Sequence, residues 1–245
     1  AAAMLLFTPL QLAQLPHVIE LPLLTLLLSM MIVVAYLDIS GFFALAIYYG
    51  NRLCKTPTQL LAVIITITGL LSAFLMNDIV CLAITPLVIH ICKQRCLPML
   101  TYLLAVGTAA NIGSVATLTG NPQNMLIGHF CHIPYRFFFY HTAPIAVLCL
   151  AIDFALILFI FRKSLRTATT ITAPTNNKPF IEKPFLLAKT VIVTLLVILL
   201  FFTHLPLALI ALSAAATLLL DNTPKQKIYR FRKLYGSNCY SRCNG

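Results

Sequence analysis

Charge is what this sequence has least of. Asp, Glu, Lys and Arg make up 9% of its 245 residues, against a hydrophobic share of 60% and a mean hydropathy of +0.94. Soluble domains carry about 25% charged residues. A chain this apolar has too few polar side chains to cover a surface in water. That excludes a soluble enzyme, a nucleic-acid-binding domain and a disordered chain. The expected partner is the lipid bilayer, with no nucleic acid. Acidic residues are the scarcer sign, 6 against 17 basic ones, for a net charge of +11. In a membrane chain such an excess reads as an orientation signal, because basic loops stay on the cytoplasmic side.

Enzyme signatures are missing as well. There is no HExxH, GxSxG or Walker A motif, and no GxGD pair, so nothing marks a catalytic metal, an acyl nucleophile, a phosphate cradle or an aspartyl dyad. The chain is expected not to be an enzyme, and to use no cofactor beyond a coupling ion. Its 8 cysteines do not form a disulfide framework. Cys54, Cys92, Cys96, Cys239 and Cys243 lie beside basic residues, which suggests the reducing cytoplasmic face. Cys92-x3-Cys96 and Cys239-x3-Cys243 lack a second pair at zinc spacing. No metal site is expected. His129, Cys131, His132 and His141 have ligand chemistry, but interface histidines are the commoner reading. No signal peptide is readable: Ala1 comes first and no charged n-region precedes an apolar core. The chain reads as truncated at its front.

Long apolar runs are what it does have. Leu21–Leu37 is a clear span ending at Asp38-Ile-Ser-Gly41. Phe42–Ile47, followed by Tyr48, Tyr49, Arg52 and Lys55, fits an amphipathic helix at the interface. Residues 58–92 are apolar but interrupted by Asn77-Asp78. The second limb, Ile79–Cys92, reaches only about 21 Å as a helix, short of a core of about 30 Å. Arg52 and Lys55 precede the segment, and Lys93 and Arg95 follow it. Both ends therefore favour one face. The economical reading is a re-entrant hairpin with Asn77-Asp78 at its tip; two full, tilted spans are the alternative.

Residues 97–130 start as a helix and meet Gly113, Gly120, Asn121 and Pro122, which break it. Ala143–Phe161 is another span. A polar cytoplasmic loop, 162–185, separates it from Leu186–Thr203 and Leu207–Leu220, joined at His204-Leu-Pro206 as one bent span or a hairpin-like pair. The transmembrane domain is thus 1–220 and a basic cytoplasmic tail is 221–245. With the basic flank of the 162–185 loop taken through Lys189, only Arg136 of the 17 Lys and Arg residues falls outside the cytoplasmic loops and tail.

Two interruptions carry the chemistry. A carboxylate in an apolar run is costly, about 2.5–3.5 kcal/mol on insertion scales, which makes Asp78 a proton carrier or cation ligand. The bland reading is that it opens the second limb, as Asp and Asn do. In the broken helix, half-helix ends would face each other, with N–H groups for anions and carbonyls for cations. Thr117, Thr119, Asn121 and Asn124 add hydroxyl and amide groups. The alternative is a Gly/Pro kink whose side chains satisfy freed backbone groups. Asp153 is the other carboxylate inside a span, with no partner readable.

At these residues the sequence resembles a known family. Ser72–Pro86, SAFLMNDIVCLAITP, is similar to the first hairpin of the ion transporter superfamily, and Ala110–Gly128, ANIGSVATLTGNPQNMLIG, to the broken helix that follows it. That group includes divalent-anion:sodium symporters, citrate transporters with a CitMHS-like domain, arsenite efflux permeases and, in particular, bacterial inner-membrane permeases of the YbiR type. The resemblance implies an all-α polytopic membrane protein: a re-entrant hairpin plus a discontinuous transmembrane helix, one repeat of an inverted-repeat transporter. It implies secondary transport of a small anion coupled to sodium or protons, multi-pass in a bacterial inner membrane, with a possible homodimer. By analogy Ser72, Asn77 and Gly113 hold the ion. Asn77, Asp78, Thr117, Asn121 and Asn124 contact substrate, with Asp78 the proton-coupling candidate. Met76-Asn77-Asp78 stands where the dicarboxylate branch has Ser-Asn-Thr, and looks more like the arsenite-efflux and sodium/proton-antiport branches. Only one hairpin-plus-broken-helix set is readable, so an inert truncated remnant and a sodium/proton antiporter are the competing expectations.

Overall fold

The computed structural model describes residues 21–54, 56–167, 184–203 and 205–220. The front of the chain, most of the 162–185 loop, His204 and the 221–245 tail lie outside the described residues. Every regular element among those described is helical. Four helices are long and apolar enough to cross a bilayer: α1 (Leu21–Ser40), α3 (Pro57–Phe74), α7 (Tyr135–Ile160) and α9 (Pro184–Phe201).

α1 runs past the expected end at Leu37 to Ser40. The chain then turns at Gly41, whose φ of 86° lies in the left-handed region that only a residue without Cβ enters freely. α2 (Phe42–Leu53) is amphipathic as expected: Phe43 and Ile47 are buried and Tyr49 is exposed. α3 starts at a capping box. The Thr56 hydroxyl accepts from the Gln59 N–H at 3.2 Å, and the Gln59 carboxamide accepts from the Thr56 N–H at 3.3 Å. Pro57 fills the first position, where its missing N–H costs nothing.

The interruption in 58–92 falls two residues earlier than the sequence suggests. Leu75 and Met76 are extended and buried, and α4 (Asn77–Gln94) begins with Asn77 and Asp78 inside its first turn. Asp78 lies at the positive end of the helix, and no side chain caps its first N–H groups. This corrects the short second limb. At 18 residues α4 is about 27 Å long, so limb length does not by itself mark the hairpin as re-entrant. The hairpin itself is clear. Arg95, after α4, donates to the carbonyls of Asn51 at 3.0 Å and Cys54 at 3.4 Å, before α3. Tyr102 donates to Pro57 O at 2.9 Å on the same side. Burial pushes the Cys54 thiol up, with Arg95 pulling the other way; a neutral thiol is the unreactive form.

α5 (Met99–Ser114) packs along α3. After Val115–Asn121, α6 (Pro122–Phe130) resumes the broken helix, with Pro122 in its first turn. α7 likewise begins at Tyr135 rather than Ala143, directly after Pro134, and is 26 residues long. A short α8 (Arg162–Thr167) follows it. α9 and α10 (Leu207–Leu219) form a hairpin-like pair rather than one bent span. Lys189, near the start of α9, donates to Thr217 O, near the end of α10, at 2.9 Å.

Two apolar cores result. One joins α2, α3, α4 and α5 through Phe43, Leu61, Ile84 and Val106. The other joins α1, α9 and α10 through Met30, Val33, Phe201 and Leu218. Leu75 belongs to the first, whereas Met76, Leu118 and Met125 belong to the second. The hairpin tip and the helix break therefore sit at the seam between the cores.

The α3–α5 contact is backbone on backbone. A Cβ on Gly113 would lie 2.2 Å from Gly69 O, whereas one on Gly69 would meet only the Leu150 methyl groups, at 2.8 Å. Gly113→Ala should therefore force the helices apart and destabilise the bundle by about 1–3 kcal/mol. Gly69→Ala should cost far less, since Leu150 can rotate. Thermal unfolding midpoints in detergent check this; equal midpoints for the two variants would contradict the packing.

Candidate functional site

The break begins where α5 ends. Val115 N–H donates to Ile112 O at 3.2 Å and Ala116 N–H to Gly113 O at 3.1 Å, tightening the last turn. Gly120 then passes so close to Ser114 that a Cβ would lie 2.2 Å from its carbonyl oxygen. Asn121 caps α6: its side-chain oxygen accepts from Asn124 N–H at 2.8 Å, and its amide donates to Ser114 Oγ at 3.1 Å. The Asn124 amide returns across the loop to Ser114 O at 3.2 Å and Thr117 O at 2.9 Å. In lipid, each such carbonyl left bare would cost several kcal/mol.

The hairpin tip closes onto this loop. Asn77 N–H donates to Gly120 O at 3.0 Å, and the Asn77 amide donates to Asn111 Oδ1 at 3.1 Å. Ser72 Oγ donates to Ala110 O at 2.5 Å. Thr117 Oγ1 donates in the other direction, to Ala73 O in the last turn of α3. α7 supports the loop from outside: Thr142 Oγ1 lies 3.0 Å from Ala116 O, and the Tyr135 hydroxyl lies 3.3 Å from Thr119 Oγ1. The start of α4, the end of α5 and the approach to α6 thus converge within hydrogen-bond reach. Helix starts favour anions and helix ends favour cations.

Six of the residues singled out from sequence are gathered here: Ser72, Asn77, Gly113, Thr117, Asn121 and Asn124. Ser72 and Thr117 are fully buried, and Asn121 is 8% exposed. Asp78 is different. It lies in the first turn of α4, exposed, and outside this network, the placement of a helix-opening carboxylate rather than one sunk in apolar packing. Asn77 Oδ1 is buried and accepts no hydrogen bond from the described residues. An orphaned buried acceptor in native packing calls for a physical explanation.

Sequence reading missed the partners. Asn111 and Ser114 lie within the Ala110–Gly128 stretch, but nothing in their spacing ties Asn111 to Asn77. Tyr135 and Thr142 belong to a helix whose early start was not anticipated. The histidine and cysteine group is dispersed into ring contacts, His129 against Phe130 at 5.7 Å and His141 against Phe137 at 4.1 Å. Among the described residues no three metal-ligating side chains converge. Beside the junction, an apolar cavity of about 470 Å³ opens between α3, α5 and α7, walled by Gly69, Ala73, Phe74, Gly113, Ala116 and Ala146.

The sequence profile of the citrate transporter family matches residues 1–230. A 46 kDa membrane protein of Mycobacterium leprae is 32% identical over 73% of this chain and 43% of its own length. The silicon efflux transporter of Oryza sativa subsp. japonica is 34% identical over 60% of this chain and 30% of its own. The inner membrane protein YbiR of Escherichia coli is 30% identical over 48% of this chain and 32% of its own. The chain thus spans less than half the length of these curated relatives.

The capping geometry gives a direct test. Asn121→Ala removes both the α6 cap and the tie to Ser114, and should destabilise the chain by about 1–2 kcal/mol. Asn121→Ser, which can still cap, should recover part of that. Denaturation of the purified variants in detergent measures both; an Asn121→Ala variant as stable as the parent would mean the loop is held otherwise.

Proposed function

This chain belongs to the citrate transporter family, and from that premise we propose that it is a secondary transporter of a small anion, coupled to sodium or protons, in a bacterial inner membrane. The observation that carries this reading is the polar junction between the hairpin tip and the helix break. It lies in a largely apolar bundle, and its Asn77 Oδ1 is buried with no hydrogen-bond donor among the described residues. Maintaining polar backbone at that depth is expensive, and solute traffic is what such interruptions serve in membrane transporters.

In this reading the hairpin is re-entrant and its tip stands near the bilayer midplane. Asn77 Oδ1 supplies an oxygen ligand for the coupling cation, with Ser72 Oγ and the backbone around Gly113 beside it. The Ser72 proton is already given to Ala110 O, which leaves the oxygen lone pairs as acceptors, the form a cation needs. The N–H groups at the start of α4 face the anion, and Thr117 lies behind them.

Asn121 and Asn124 act one step back. Their amides are committed to Ser114 and Thr117, so they shape the loop that meets the substrate. Asp78, exposed on the first turn of α4, is the proton-coupling candidate of this reading. Transport by the chain as a whole belongs to this proposal, because it matches only 43% and 30% of the length of these relatives.

Uptake into proteoliposomes checks the reading, with imposed sodium and proton gradients and labelled citrate, succinate or arsenite. Gradient-dependent uptake of at least one of these is expected. Asn77→Ala should lower it roughly tenfold or more, the effect of losing about 1.4 kcal/mol of ligand interaction, with membrane insertion unchanged. Normal uptake by Asn77→Ala would remove its role. No gradient-driven uptake of any of the three would overturn the proposal and favour an inert bundle.

A further inference from the structure

Asp153 has no part in the junction described above. It is the one acidic residue of α7, 9% exposed, in the middle of a helix that is otherwise apolar around it. Ionisable side chains inside a membrane bundle are rare, and by default mark sites of function. The polar partner of Asp153 among the described residues is Thr108 of α5, whose Oγ1 lies 3.0 Å from Asp153 Oδ2.

Thr108 has one hydroxyl proton and three acceptors around it. Leu104 O lies at 2.9 Å, Ala105 O at 3.4 Å and Asp153 Oδ2 at 3.0 Å. A hydroxyl donates once and can accept through its lone pairs. Two arrangements satisfy these distances. If Asp153 is ionised, it takes the Thr108 proton and Leu104 O loses that bond. If Asp153 is protonated, it donates to Thr108 Oγ1, and Thr108 donates back to Leu104 O, as threonines in helices do. The second arrangement makes one more hydrogen bond with the same atoms.

The surroundings favour the second arrangement too. α3, packed against this face, carries no ionisable side chain. α5 carries Tyr102, whose proton is committed to Pro57 O. Among its described side chains α8 carries Arg162 and Lys163, both exposed, nine or more residues on and so about 13 Å or further along the axis. α9 carries Lys189, which donates to Thr217 O. On α7 itself Cys149 is one turn away, while Tyr135, Arg136, Tyr140 and His141 lie towards the other end. None of these groups forms an ion pair with Asp153. A buried carboxylate without a cation is costly.

We propose that Asp153 is a proton-binding site within the α5–α7 interface, occupied at neutral pH, with the Thr108 hydroxyl as its hydrogen-bond partner. Loss of the proton breaks the carboxyl O–H bond and delivers the proton to water. Thr108 then swings its own proton from Leu104 O to Asp153. Thr108 stands one turn before Asn111 on α5, so this switch acts on the helix whose end holds the hairpin tip through Asn77. The site binds its proton whether or not the bundle carries an anion.

Infrared difference spectroscopy on the full chain in lipid nanodiscs, with 13C-labelled aspartate, tests this. At neutral pH a labelled band from a protonated carboxyl is expected. Asp153→Asn should abolish it. Thr108→Val, which keeps the shape and leaves Asp153 in place, should shift its frequency, and Thr108→Ser should restore it. Failure of Asp153→Asn to fold leaves the threonine pair as the decisive comparison. Absence of a protonated-carboxyl band in the parent at neutral pH overturns the proposal, as does a band that Thr108→Val does not move.

Discussion

Backbone amides cannot be left bare in hydrocarbon, and the rest of this structure follows from that constraint. A continuous helix meets it internally. A helix that stops and restarts, as the segment from Met99 to Phe130 does, exposes carbonyls at one end and N–H groups at the other. Here the missing partners come from two sources. Asn121 and Asn124 serve the loop from within, and Asn77, Ser72 and Thr117 join it to the neighbouring hairpin. The break and the tip are therefore one structural unit, and neither would be stable without the other.

That dependence explains where glycine stands. Bonds between side chains and neighbouring backbones need close helices, and Gly113 against Gly69 allows α5 to lie on α3 without an intervening Cβ. Gly120 gives the loop the same closeness to Ser114. Small residues also do the packing between helices in membranes, where no hydrophobic force pulls one apolar surface to another. The two apolar cores meet at this seam, with Leu75 in one and Met76 in the other. A displacement between the cores would pass directly through the tip.

The two carboxylates in apolar stretches resolve into different situations. Asp78 opens a helix and faces outward, where the positive end of α4 stabilises its charge. Asp153 is enclosed and has a hydroxyl for company. A carboxylate in a hydrophobic run looks the same in both cases when read along the chain. Burial and partner, which are properties of three dimensions, separate them.

Composition alone determined that this chain lives in a bilayer, because the shortage of charge is a bulk property that no packing can reverse. Gly113, Gly120, Asn121 and Pro122 marked the broken helix correctly for the same kind of local reason: these residues oppose helix wherever they fall together. The basic residues at both ends of 58–92 put those ends on one face, and Arg95 reaching Asn51 is consistent with that. Tertiary structure decided the rest. It moved the hairpin turn from Asn77-Asp78 to Leu75-Met76, where buried apolar side chains hold an extended pair and Asp78 falls at the positive end of α4. It chose a hairpin for α9 and α10, because Lys189 finds Thr217. It paired Asn77 with Asn111 and Asp153 with Thr108. Such pairings join residues dozens of positions apart, and their distances depend on how helices pack, which no local pattern records.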